Sequence, residues 1–278
     1  MKFTARITVS VALLALLGTA TGCKKLESHD RITKGVQAFK NAQYELAVSD
    51  FQEAIQLDPT SAMAKLYLAT AYSYQVVPNL DDPTTPEGAA NLKLAQKALD
   101  GFNSVLADNP NDLDALKQIA SIDRNIQKYD SAKDTEKKVI ALDPKDPEAY
   151  YTIAAIDYQT VHYKNTVPIL AKDGLIDDGE GNAKVTKGAC AKLQEANTDL
   201  ISEAMQYLEK AIDLNPNYDD AMSYLQLAYR EKANLECGNP AARKADLDQS
   251  DIWIHKQLGA RKYNEEQKEK KAGGGVQM

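Results

Sequence analysis

The sequence predicts an all-α fold, an α-solenoid of antiparallel helix pairs with two inserts and a C-terminal capping helix. Three observations carry that expectation. Four stretches share one plan, "EAIQLDPTSAMAKLYLA", "SVLADNPNDLDALKQIA", "KKVIALDPKDPEAYYTIA" and "KAIDLNPNYDDAMSYLQLA": an apolar helical run, Asp-Pro or Asn-Pro, a short polar step, and a second apolar helical run. The residues before each proline keep one spacing: Ala47-Phe51-Ala54-Pro59, Ala98-Phe102-Val105-Pro110, Ala132-Glu136-Val139-Pro144 and Ala204-Leu208-Ala211-Pro216. The runs that follow are apolar at helical spacing, as in Leu68 and Tyr72, Leu116 and Ile119, Tyr150 and Ile153, and Met222, Leu225 and Tyr229. Proline pushes the residue before it out of the α region, so each helix must stop where the motif stands. A helix pair with one apolar face cannot bury that face alone and stacks on the next pair.

The first 22 residues are read apart from this pattern. Lys2 and Arg6 precede an apolar run, Ile7 to Leu17, and small residues lead to Cys23. The run is too short to span a bilayer but fits the hydrophobic region of a secretory signal peptide. Ala20-Thr21-Gly22-Cys23 resembles the bacterial lipobox, with Ala20 in place of the more usual Leu. That resemblance implies cleavage before Cys23, diacylation of its thiol, residues 23–28 as a lipidated tether, and a membrane contact made through the lipid. Lys24 after the cysteine, rather than Asp, resembles the outer-membrane form of the sorting signal, so the expected place is the bacterial cell envelope, at the outer membrane facing the periplasm.

From Pro110 to Pro144 is 34 residues, the period of the tetratricopeptide repeat. On these motifs the chain resembles a bacterial tetratricopeptide-repeat lipoprotein over roughly residues 29–258. Gly35 and Tyr44 stand at the family's small and aromatic positions in the first unit. Ala69, Ala120, Ala154 and Gln226 replace the glycine elsewhere, and Asp123 and Asp157 replace the first-helix tyrosine. The repeat domain is placed at residues 29–261, with units at about 29–61, 62–112, 113–146, 147–218 and 219–258.

Two units are stretched between their first and second helices. Pro59 to Pro110 is 51 residues and Pro144 to Pro216 is 72. The inserts fall at 75–84 and 159–197. Thr85-Pro86-Glu87 reads as the N-cap and first turn that end the first insert. The second holds "GLIDDGEGNAKV", expected as a turn or small hairpin. Asn239-Pro240 opens a capping helix in which Ala245, Ile252 and Trp253 are expected to cover the last repeat. Residues 262–278 are charged and end in glycines, and are expected to be a disordered tail.

The residues present offer little chemistry. The whole chain carries a net charge of −7, which becomes −9 once Lys2 and Arg6 are removed, and no basic block stands out; phosphate contacts need clustered Lys and Arg, so no nucleic-acid partner is expected. The three histidines, His29, His162 and His255, lie in separate units, and no Ser or Cys stands in a nucleophile motif. Asp173, Asp177, Asp178 and Glu180 read as a solvated turn, because Leu175 falls at the third position of an EF-hand loop beginning at Asp173, where a ligand is required. No catalytic residue, metal or cofactor is expected. His162, beside Tyr158 and Tyr163, reads as a packing or surface residue.

Resemblance to tetratricopeptide arrays implies a concave groove lined by first helices that takes an unidentified protein or peptide partner. In the register of this chain the groove stripe is Lys117, Ser121, Arg124 and Asn125, then Tyr151, Tyr158 and Gln159, then Ser223, Leu227 and Arg230. Tyr and Arg are types enriched at binding hot spots. The alternative is an enzyme or small-ligand binder with its site in the inserts at 75–84 and 159–197. Once Cys23 is acylated, Cys190 and Cys237 remain; the register puts both on one edge of the helix stack, where a disulfide can form in an exported protein.

Overall fold

A computed structural model describes residues 23–182 and 184–273. Residues 1–22, on which the signal-peptide expectation falls, lie outside the described residues. Every regular element among those described is helical. They divide into two compact units, one ending at Ala132 and one beginning at Lys133, where a single repeat domain was expected. The boundary falls inside the second helix of the third repeat.

In the first unit α1 spans residues 23–40, followed by α2 (Tyr44–Leu57), α3 (Ala62–Ser73), α4 (Pro86–Asp108) and α5 (Leu113–Asn125), with α6 (Tyr129–Leu142) crossing the boundary. The motif spacing becomes a core directly. Ala47, Phe51 and Ala54 of α2 are buried against Ile32 and Ala38 of α1 and Ala64 and Ala71 of α3. Ala98 and Phe102 of α4 are buried against Ala69 and Tyr72 on one side and Ala115 and Ile119 on the other. A Cβ on Gly35 would lie 2.5 Å from the Phe51 ring, which is why that position is glycine.

Each Asp-Pro or Asn-Pro step stops its helix in the same way. The backbone leaves the α region at Asp58 (φ −134°, ψ 89°), Asn109 (−136°, 90°) and Asn215 (−133°, 91°), as the following proline demands. At Asp58, Asn109, Asp143 and Asn215 the amide still donates back to the carbonyl four residues earlier. Asp58, Asp143 and Asn215 then accept the amide two residues on, forming the turn with their own side chains. Ser61, Asp112 and Asp146 cap the helices that follow.

The first insert is short and is tied down by one buried side chain. Asn91 of α4 accepts from Val77 N at 2.8 Å and donates to Val77 O and Leu80 O at 2.9 and 2.8 Å. Thr85 caps α4 through Gly88 N, as its sequence predicts. Part of the added length is helix, since α4 runs for 23 residues against 14 in α2.

The second unit contains α7 (Pro147–Gln159), which continues without a break into a π-helix, Thr160–Thr166, and then α8 (Val167–Lys172). α9 (Lys187–Leu214), α10 (Asp219–Leu235) and α11 (Pro240–Gly273) complete it. Of the turn or small hairpin expected in "GLIDDGEGNAKV", the described residues form turns and no strand. Gly174, Gly179, Gly181 and Asn182 take positive φ there, so the segment folds as successive tight turns, which strand pairing cannot follow. Leu170, Leu193 and Leu235 form a small core beneath it.

Residues 23–28, expected as the lipidated tether, form the first turns of α1, with Ser28 buried and its hydroxyl donating to Ala54 O at 2.8 Å. Two further expectations are corrected. Residues 262–273 are helical rather than a disordered tail: Asn264 reaches Asn217 O and Asp219, and Arg261 pairs with Asp219, holding α11 along α10. Ala245 and Ile252 are exposed, while Trp253 packs against the last repeat as expected, so the covering face of α11 is turned from the one drawn through Ala245. That face is largely polar, with Asp246 on Lys232 (2.6 Å) and Ser250 on Arg230 and Gln226 beside the half-buried Trp253. The polar character explains why apolar periodicity misplaced it.

Candidate tyrosine face on the first helices of the second unit

α7 and α10 are the first helices of successive repeats, and α9 packs against both. Tyr150 and Ala154 of α7, Ala204, Leu208 and Ala211 of α9, and Leu225 and Ala228 of α10 fuse the three into one core. Helical spacing then carries Tyr151 to the flank of α7 and Tyr224 to the flank of α10, with Tyr218 just before α10. The rings touch: Tyr151 lies 5.1 Å from Tyr218 and 5.5 Å from Tyr224 between centroids, the second edge to face. Tyr224 also meets Tyr158 edge to face at 5.4 Å. Tyr151, Tyr218 and Tyr224 are half-buried, which leaves part of each ring to solvent. The Tyr218 hydroxyl donates to Glu148, and burial together with that bond pushes its pKa up.

The structure sorts the predicted stripe. Tyr151, Ser223 and Leu227 stand half-buried on α7 and α10, and Gln159 is half-buried at the end of α7. Tyr158 is buried, its ring stacked on His162 at 5.7 Å, so it supports the face from below. Arg230 is engaged by its own unit: Nε donates to Ser250 and Nη1 to Gly179 O, both at 3.1 Å. It therefore clamps α11 and the second insert to α10 and leaves the groove set. Lys117, Ser121, Arg124 and Asn125 are all half-buried along α5 in the first unit. Cys23 is exposed at the start of α1 with a free thiol. Cys190 and Cys237 form a disulfide with a Cα–Cα distance of 6.0 Å, joining the start of α9 to the end of α10.

Sequence reasoning missed Tyr218 and Tyr224. Tyr218 precedes its helix, and Tyr224 lies one position beyond the stripe drawn through Ser223. A second missed feature replaces the family's tyrosine at Asp157, which is buried against Lys133 at 2.5 Å; Lys133 also holds Glu203 at 2.9 Å. Desolvation raises the Asp157 pKa to about 6, although Lys133 opposes it. Lys133 itself is raised: burial lowers it, but two carboxylate partners outweigh that. The signal available was an acidic residue at a core position of the repeat.

The Tetratricopeptide repeat family model matches residues 196–218, the second helix of the fourth unit and its Asn-Pro turn. Solved structures of similar fold include the crystal structure of MamA protein, at 15% identity, covering 91% of this chain and 97% of that one with a TM-score of 0.51. Another is MamA 41-end from Desulfovibrio magneticus RS-1, also at 15% identity, covering 85% and 96% with a TM-score of 0.53. No curated protein sequence matches the chain. The fold is that of tetratricopeptide-repeat proteins, an α-solenoid of antiparallel helix pairs.

Proposed function

We propose that this protein is a lipid-anchored adaptor that holds a protein or peptide partner on the first-helix face of its second unit, at the periplasmic side of a bacterial membrane. The observation that carries the reading is the half-exposed tyrosine cluster Tyr151, Tyr218 and Tyr224 beside Leu227. Rigid aromatic rings offer large contact area with little side-chain entropy to lose, and they dominate binding energy at interfaces. The fold class fits this role, because tetratricopeptide scaffolds bind partners and are generally non-enzymatic.

The export half of the reading rests on the N-terminal residues and on one disulfide. Lys2, Arg6 and the apolar run lead to Cys23 as a signal peptide and lipobox would. The Cys190–Cys237 disulfide supports the same compartment, since such bonds persist where the surroundings are oxidising. Because α1 begins at Cys23, a lipid there would hold the first repeat close to the membrane surface.

The test is partner capture from crosslinked membranes by the wild type and by Tyr151→Ala/Tyr224→Ala. Truncating aromatic anchors typically costs on the order of 2 kcal/mol or more of binding, about thirtyfold in affinity. The double variant should lose the partner while its helical circular dichroism is kept. Equal capture by the folded double variant would remove this face from the function.

A further inference from the structure

We propose that His162, Asp177 and Glu231 form a binding site for one divalent transition-metal ion, Zn2+ or a metal of like preference. The three come from different segments: the π-helix, the second insert and α10. One ligand atom from each lies within 4.8 Å of the others. His162 Nδ1 is 2.5 Å from Glu231 Oε1 and 3.5 Å from Asp177 Oδ2. Ligands on a tetrahedral ion with bonds of about 2.0–2.2 Å stand roughly 3.3–3.6 Å apart, so the imidazole and Glu231 need to part by about 1 Å.

The support around these atoms is arranged as an outer shell is. Glu231 Oε2 accepts from Thr166 Oγ1 at 2.8 Å and Asn234 Nδ2 at 3.4 Å, leaving Oε1 turned toward His162. Asp177 Oδ1 accepts from Gly179 N at 3.1 Å and Asn182 Nδ2 at 3.2 Å, leaving Oδ2 turned toward the same nitrogen. Asn197, fully buried, holds Thr166 in turn at 3.0 Å. Each carboxylate thus uses one oxygen on fixed donors and directs the other to one point. Hydrogen-bonded second shells of this kind orient metal ligands.

Charge and local geometry point the same way. Two carboxylates face one imidazole, and the Glu231 side chain is only 3% exposed. A divalent ion between them would balance the charge of the two carboxylates. Side chains of His162 and Asp177 are 22% and 13% exposed, which gives an ion a path in. His162 is delivered by a seven-residue π-helix, a rare element that recurs at functional sites. An imidazole beside two carboxylates suits Zn2+ and its neighbours, whereas calcium and magnesium sites are built from oxygen. A bound ion would fasten the second insert to α10 near the Cys190–Cys237 bond.

The experiment uses the full chain carrying Cys23→Ser, so that the exposed thiol binds nothing, after chelator treatment and dialysis. Titration with Zn2+ followed by calorimetry should show one equivalent bound. Glu231→Gln and His162→Ala, each checked for helical circular dichroism, should weaken binding at least about tenfold. Asp177→Asn, in the more exposed insert, does the same if a core variant fails to fold. A tenfold excess of Ca2+ should leave Zn2+ in place. Absence of Zn2+ binding by the parent chain overturns the proposal, as does unchanged binding in folded variants or displacement by Ca2+.

Discussion

Lys133 shows how a single residue can decide the stability of this unit. It answers two carboxylates, one of which, Asp157, has a side chain only 2% exposed. Replacing Lys133 with Met leaves Asp157 buried without its cation, and breaking such a pair costs about 3–5 kcal/mol. The pH dependence follows from the direction of the Asp157 shift. Burial raises its pKa from 3.8 to about 6, so the folded state favours the protonated acid. Its contribution to stability is therefore fully present below about pH 4 and is lost as pH rises through about 6. Lys133→Met should cost on the order of 3 kcal/mol at pH 7 and visibly less at pH 5, by urea unfolding at the two pH values. An equal cost at both would show that Asp157 does not carry the effect. The sequence flagged Asp157 only as a departure from the repeat; its cation sits 24 residues away, on the preceding helix, and no local pattern could pair them.

Among the elements, legibility followed periodicity. The second helices of the repeats are legible almost residue for residue, because a small residue, a larger one, Ala or Val, and Pro recur where helix pairs stack, and the stops at Asp58, Asn109 and Asn215 take the backbone path that proline imposes. The second insert was not legible. The π-helix, Thr160–Thr166, holds no proline or glycine that would mark it off from α7, and the core under the insert is made by Leu170, Leu193 and Leu235 meeting from three places in the chain. α11 stands where it is expected and Trp253 packs on the last repeat, but Ala245 and Ile252 face solvent, since much of the contact face is built from Asp246, Ser250 and Asn264. The disulfide acts on this same region. It closes a separation of 47 residues, for which the chain-entropy model gives roughly 4 kcal/mol. Cys190→Ser/Cys237→Ser should accordingly lower stability by up to about that amount. Hydrogen exchange should show the loss first at 173–186 and at the end of α10; uniform protection in the variant would mean that the bond does not hold the insert.

For the whole molecule, the fold class is plain from the sequence while the candidate tyrosine face is only partly so. Of the predicted stripe, Tyr151, Ser223 and Leu227 remain on the α7–α10 face. Tyr158 is buried with its ring stacked on His162 one turn further on, and Arg230 is drawn away by Ser250 and Gly179, 20 and 51 residues distant in the chain. Tyr218 and Tyr224 joined it through ring contacts that helical spacing does not encode. The central claim is that an exported, lipid-anchored chain presents this face to a partner. It is tested most directly by placing a photo-crosslinking residue at Leu227, with Lys210 on the exposed side of α9 as the comparison position, in cells fed labelled fatty acid. Expected are a labelled protein in the membrane fraction, label lost in Cys23→Ser, and a discrete crosslinked partner from Leu227 but not from Lys210. A soluble, unlabelled protein, or crosslinks from Lys210 alone, would contradict it.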